Sequence, residues 1–206
     1  MSESTKQLGS LNDFYSEEAL RRYLRMPRRD LDAVCGLVGE LQLPFIDYGC
    51  LIGSLPRRLS QHSLRIPRGI GVEPLSLARE ITLPLYEQVV ATPGPEGLAE
   101  ALKIIGPGPC MIIFSSVFAQ MQPESVAEVL AIVQSSGANE AVISLDLFDT
   151  DYIEQVSLKG IELFDHTPLV KASMASWQAE DLFSGQVGTS AITGEPLFLK
   201  VVRYSR

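Results

Sequence analysis

The chain has little of what most metal and phosphate sites are built from. Its 206 residues include two histidines, His62 and His166, and three cysteines, Cys35, Cys50 and Cys110, all far apart. So few donors give no zinc-type ligand spacing, and no metal is expected. An odd number of scattered cysteines makes no disulfide framework, so free thiols in a reducing compartment are expected. G-x-x-x-x-G-K-[ST] and G-x-S-x-G are both absent. That leaves neither the phosphate loop of phosphoryl-transfer enzymes nor the nucleophile elbow of hydrolases. Positive charge is also short, with 17 Lys and Arg against 25 Asp and Glu for a net charge of −8. Such a balance disfavours nucleic acid or an anionic membrane as partner. No apolar run approaches the ~18 residues of a membrane span. The opening M-S-E-S-T-K-Q carries no apolar core and no cleavage signature, so a cytoplasmic location is expected.

What is present is a globular pattern. Hydrophobic residues make up 46% of the chain, enough to bury a core in one domain. Two helices are expected first. One starts near Ser16 and carries Leu20, Tyr23 and Leu24; the other places Leu31, Val34, Val38 and Leu41 on one stripe. Arg21, Arg22, Arg25, Arg28 and Arg29 form a local basic cluster that reads as a solvated helix face or as a contact for an anionic group.

From Pro44 onward strands and helices alternate. Strands are expected at 44–48, 69–72, 87–91, 110–114 and 141–145. Between them lie helices from about 55 (Ser54 as N-cap), at 76–81, around Leu98–Ile105 stopped by Gly106, and around Val126–Val133 with Gly137 beyond its end. Unbroken apolar strands alternating with amphipathic helices predict a parallel sheet covered on both faces. Val187–Thr193 and Pro196–Tyr204 break the pattern. Joined by a tight turn at Gly194-Glu195, they must pair antiparallel. The expected fold is a three-layer α/β/α sandwich. Its mostly parallel seven-stranded sheet ends in a C-terminal antiparallel hairpin. Residues 1–42 form an N-terminal helical extension of the same domain, and 43–206 form the Rossmann-like body.

The run P-F-I-D-Y-G-C-L-I-G at 44–53 carries most of the chemistry. A strand ends at an acidic residue, Asp47, and turns through Gly49 and Gly53 into a helix. Glycine lets a ligand approach backbone closely. In open α/β sheets ligands bind beyond the carboxyl ends of the strands, at the switch point beside the first strand. The second strand ends at Glu73, whose carboxylate can accept two hydrogen bonds from a ribose diol.

These residues resemble the class I S-adenosylmethionine-dependent methyltransferases. D-Y-G-C-L-I-G-S-L is similar to the family's first motif at Asp47, Gly49, Cys50 and Gly53. G-V-E-P-L-S-L-A-R-E resembles its second motif at Glu73, and M-I-I-F-S-S-V-F its fourth. The terminal hairpin is shared too, and the resemblance spans about residues 40 to 205. It implies S-adenosyl-L-methionine as cofactor and transfer of its methyl group to an acceptor, which the acidic balance of the chain makes a small molecule rather than a nucleic acid. By that resemblance, Gly49 and Gly53 shape the loop under the methionine part, with Cys50 between them. Asp47 orients that loop and the amino group. Glu73 holds the ribose hydroxyls, Leu75 covers the adenine, and Ser115 and Ser116 lie near the sulfonium. His166 and Asp146 are the candidates for a general base. Phe14, Tyr15 and Tyr23 in the N-terminal helices could cover the acceptor side. A homodimer is compatible with such a domain.

Two positions depart from the family. Leu51 stands where a middle glycine is usual, and Thr92-Pro93-Gly94 follows the third strand without an acidic residue for the adenine amino group. They motivate one alternative, a non-catalytic methyltransferase-like binding or interaction protein. A second alternative is a nicotinamide-dinucleotide-binding oxidoreductase. Its G-x-G-x-x-G fingerprint is met here only at Gly49, with Leu51 and Ser54 in the other places. The N-P-P-Y type of motif that would mark base methylation is replaced by F-S-S-V-F, and Cys110, preceding its strand, reads as core.

Overall fold

A computed structural model describes residues 28–148, 150–158, 162–189 and 194–206. The expected helix near Ser16, the residues Phe14, Tyr15 and Tyr23, and Arg21, Arg22 and Arg25 lie outside the described residues. The elements run α1 (Arg29–Leu41), β1 (Phe45–Tyr48), α2 (Ser54–Gln61), β2 (Gly69–Val72), α3 (Ser76–Thr82), β3 (Gln88–Val90), α4 (Gly94–Ile105) and β4 (Met111–Phe114). They continue with α5 (Pro123–Ser135), β5 (Glu140–Asp146), α6 (Thr150–Ser157), α7 (Thr167–Ser173), β6 (Gln178–Thr189) and β7 (Pro196–Ser205).

One seven-stranded sheet has the order β3-β2-β1-β4-β5-β7-β6. The first five strands pair in parallel, and β7 lies antiparallel between β5 and β6. This is the three-layer α/β fold with a closing antiparallel hairpin that the alternating pattern predicts. The hairpin is longer than expected. β6 begins at Gln178, and Pro196 pairs with Thr189 instead of Thr193, so Gly194-Glu195 is not the two-residue turn expected to join the strands. β6 is an edge strand, mostly exposed, with register shifts between Asp181 and Phe183 and between Gln186 and Gly188. Its polar first half gives no apolar alternation to read.

Side-chain alternation along the strands divides the core. Ile46, Tyr48, Ile70, Ile112, Phe114 and Ile143 face the α4, α5 and α7 side. Phe45, Met111, Ile113, Val142, Leu199 and Val201 face α1 and α2. α1 supplies Val34, Cys35 and Val38 to this second layer, the stripe expected from its spacing. Each fully buried Phe or Ile here contributes about 1.5–3 kcal/mol. With Ile46 and Tyr48 on one face, Asp47 must point to the α1/α2 face, which brings a carboxylate under the helix that follows the turn.

Local chemistry sets the ends of the helices. Gly106 stops α4 at φ +85°. Gly53, at φ +66°, is the N-cap of α2 and Ser54 is its first residue, so the cap lies one residue earlier than Ser54. Ser136 caps α5 in an extended conformation, and Gly137 takes no left-handed φ. All three cysteines are buried free thiols.

Candidate functional site

The strand order reverses at β1, between β2 and β4, and a cleft opens there at the carboxyl ends of the strands. Asp47, Gly49, Cys50, Glu73, Leu75, Ser115 and Ser116 all line it. Gly53 does not; it sets the exit of the loop, with its N–H donated to the Cys50 carbonyl at 2.8 Å. The cleft encloses about 130 Å³. Small-ligand pockets usually exceed ~300 Å³, so a nucleoside-sized ligand must extend beyond this space or widen it.

Sterics fix the turn. Gly49 sits at φ +73°, and a Cβ there would lie 2.5 Å from Val117 Cγ2; at Gly53 it would lie 2.5 Å from Leu85 Cδ1. Leu51 takes φ +45° without being glycine, a conformation that costs an L-residue about 1–2 kcal/mol. Its side chain is half-buried against Ile52, Leu75 and Ala78. What holds it there is hydrogen bonding. The Leu51 N–H donates to Glu73 Oε2 at 2.8 Å, and Thr82 Oγ1 donates to the Leu51 carbonyl at 2.5 Å.

Glu73 is only 3% exposed. Its other oxygen, Oε1, accepts the Leu75 N–H at 2.8 Å, so one carboxylate ties the β1–α2 loop to the β2–α3 loop. Burial pushes its pKa up to about 7 against the opposing pull of those two N–H groups. Each carboxylate oxygen has two lone pairs, so Glu73 retains acceptor capacity for hydroxyl groups. Asp47 is equally buried, and its Oδ2 accepts the Tyr86 hydroxyl. Burial raises it to about 6, with Tyr86 and then Arg28 opposing. Tyr86 has no sequence signature. It follows a short 3-10 turn at Leu83–Leu85, and only the fold brings it to a residue 39 positions earlier.

Arg28 sits over the cleft instead of on a solvated helix face. It is 7% exposed, makes a two-pronged ion pair with the fully buried Asp30 (Nη2 to Oδ2 2.7 Å), and donates to Ser115 Oγ at 2.8 Å. Ser116 adopts φ +54°, which turns the chain sharply after β4. The Cys50 thiol is pushed up by burial and by the nearby Asp47 and Glu73 carboxylates, so it stays protonated.

Four backbone N–H groups of the turn are already used. Gly49 and Cys50 donate to the Val72 carbonyl at 2.9 and 3.2 Å, Leu51 to Glu73, and Gly53 to Cys50. A pyrophosphate-binding turn directs such N–H groups at the ligand. This one offers two buried carboxylates instead, an acceptor set that fits hydroxyls and an ammonium.

Asp146 and His166 lie outside this cleft. They line a separate small cavity near Phe118 and Phe164. His166 is 5% exposed; its Nε2–H donates to the Met121 carbonyl at 2.9 Å, and burial lowers its pKa. Asp146 ends β5, half-buried, and burial raises it to about 7 with Arg28 opposing.

No family model matches the chain, and no curated protein matches it by sequence. Solved structures match it by fold. It is similar to magnesium protoporphyrin IX methyltransferase from Synechocystis PCC 6803 with bound SAH, at 12% identity and TM-score 0.61 over 97% of this chain and 99% of that one. A SAM-dependent methyltransferase from Archaeoglobus fulgidus matches at 12% identity and TM-score 0.59, over 85% and 94%. A chain of the Pnkp1/Rnl/Hen1 RNA repair complex matches at 13% identity and TM-score 0.50, over 85% of this chain and 41% of that one. The chain therefore has the class I S-adenosylmethionine-dependent methyltransferase fold. Among the described residues, no helix is long and apolar enough to cross a membrane.

Proposed function

We propose that this chain binds S-adenosyl-L-methionine in the cleft at the ends of β1, β2 and β4 and transfers its methyl group to a small-molecule acceptor. One observation carries the reading: two buried carboxylates, Asp47 and Glu73, converge on a glycine turn whose N–H groups at Gly49, Cys50, Leu51 and Gly53 are engaged within the protein. That arrangement supports a phosphate-free nucleoside over a dinucleotide. Glu73 would accept the ribose hydroxyls and Asp47 the ammonium. Leu75 would lie against the adenine, and Cys50 against the loop side of the ligand. Arg28 is the one basic residue among the described residues lining the cleft, and it would face the ligand's carboxylate. Ser115 and Ser116 would border the reacting end. Residues 43–206 form the body that binds the cofactor in this reading, with 1–42 a helical part of the same domain.

When bound, the cofactor supplies an electrophilic methyl group on a sulfonium. The chain's part is to position the reactants and exclude water. An acceptor that is already nucleophilic needs no strong base, so the placement of His166 and Asp146 outside the cleft is compatible with transfer. The acidic balance of the chain favours a small molecule over nucleic acid.

The test is a thermal shift. Cofactor at 100 times its Kd should stabilise the fold by about 2.7 kcal/mol. At this chain length that raises Tm by roughly 5–10 °C. The non-catalytic alternative without cofactor binding predicts no shift. One with binding but no chemistry predicts the shift without methylation of any acceptor, small molecule or RNA.

A further inference from the structure

A second cavity opens one strand further along the same edge of the sheet. It encloses about 370 Å³ at the carboxyl end of β5 and the start of β7, within the usual ~300–1,000 Å³ range of small-ligand pockets. Backbone pairing builds its floor: Asp146 is opposite Leu199, and the Leu147 N–H donates to the Phe198 carbonyl at 2.9 Å. Its walls are aromatic. Phe148 stacks on Tyr152 with ring centroids 5.0 Å apart and planes 13° from parallel, and Phe198 is 45% exposed at the rim.

Among the described residues its charge has one sign. Asp146, Asp165 and Glu195 line it, and no Lys, Arg or His does among the described residues. Lys200, further along β7, is paired with Asp181 at 2.8 Å. Aromatic faces and carboxylates together favour a cation with an apolar body. An anion would meet Asp146 and Asp165.

Position ties this cavity to the first cleft. Arg28 lines the first cleft and donates to Ser115 at the end of β4. The same guanidinium lies close enough to Asp146 to oppose its protonation. β4 and β5 are paired neighbours, with Phe114 opposite Ile143, so the two spaces open at adjacent strand ends, Ser115 lining the first and Asp146 the second.

We propose that the cavity lined by Asp146, Phe148 and Phe198 is the acceptor site, and that it takes a small amine carried on an aromatic body, with the amine held by Asp146 and the ring against Phe148 and Phe198. This rests on the first cleft being the cofactor site.

The probe is 2-phenylethylamine, with phenylacetate as its anionic counterpart, each followed by ligand-observed NMR on the full chain with and without S-adenosylhomocysteine. The amine should bind at least tenfold better than phenylacetate, and S-adenosylhomocysteine should not displace it. Asp146→Asn should weaken the amine roughly tenfold. Phe198→Ala, at an exposed position, should weaken it with the melting temperature unchanged. Equal binding of the two probes, displacement by S-adenosylhomocysteine, or unaltered affinity in both variants overturns the proposal. If S-adenosylhomocysteine binds and the amine does not, the acceptor assignment falls and the cofactor reading stands. If the amine binds and S-adenosylhomocysteine does not, the cofactor reading falls and the acceptor role falls with it.

Discussion

Replacing Glu73 with alanine separates its two roles. In the folded chain its carboxylate accepts the Leu51 and Leu75 N–H groups, both at 2.8 Å, from a position 3% exposed. Removing it leaves two donors without their acceptor, at about 1–3 kcal/mol for each donor that stays buried. Water entering the opened cleft relieves part of that, so a net loss of about 1–3 kcal/mol is expected, or a Tm lower by roughly 3–10 °C. Separately, two ribose hydroxyls lose their acceptor. That should weaken cofactor binding by about 1–3 kcal/mol, a factor of roughly 5 to 150. Calorimetric titration with S-adenosylhomocysteine at a temperature well below both melting points measures the second effect without the first. Glu73→Gln provides the control: it keeps one carbonyl oxygen for one N–H and sets its amide N–H2 against the other, so it should fall between wild type and alanine in both readouts. A variant with lowered Tm and unchanged affinity would mean that Glu73 is only a tie between two loops, and the ribose assignment would be wrong.

Three further outcomes are expected. Asp47 and Glu73 are raised by burial to about 6 and about 7, so each holds its proton more tightly folded than unfolded. Their contribution is complete below about pH 4 and is lost as pH rises through 6 to 7, so chemical denaturation should give a fold weaker by on the order of 1–3 kcal/mol at pH 8 than at pH 5. Asp146, raised by burial to about 7, adds to the fall, His166, lowered by burial, offsets part of it below its ordinary pKa, and Asp32, held down to about 2 by Arg58, adds nothing in that window; a net stability that rises with pH there would contradict the burial argument. Gly49→Ala forces a Cβ to within 2.5 Å of Val117 at φ +73° and should cost about 1–3 kcal/mol in stability while weakening cofactor binding, read by the same titration. Leu51→Gly relieves a left-handed leucine at φ +45° worth about 1–2 kcal/mol and frees wall space, so cofactor affinity should hold or tighten; a loss of tenfold or more would mean that the Leu51 side chain is itself a ligand contact.

Much of this architecture is legible in the residues because it rests on local signals. Runs such as Met111–Phe114, buried on both faces, have no polar residue to confuse with a turn. Gly106 stops α4 because the chain there needs a left-handed φ, and Asp47 and Glu73 stand out as charges at the ends of apolar strands. The features that could not be read are long-range or edge features. Tyr86 reaches Asp47 only through the fold, and the ion pair of Arg28 with Asp30 reads as a solvated helix start until α1 is laid over the sheet. The first half of β6 is an exposed edge held to β7 by its backbone and by the ion pairs Glu180–Arg203 and Asp181–Lys200, so its polar side chains carry no apolar period. Gly53, not Ser54, caps α2 because the turn needs φ +66° at that position, a demand that overrides the usual preference for a serine cap.

The central claim is that the turn at 49–53 with Glu73 holds a phosphate-free nucleoside. Parallel calorimetric titrations of the full chain with S-adenosylhomocysteine and with NAD test it most directly. Saturable one-site binding of S-adenosylhomocysteine, with no heat from NAD, is the predicted result. No binding of S-adenosylhomocysteine, or tighter binding of NAD, would contradict it.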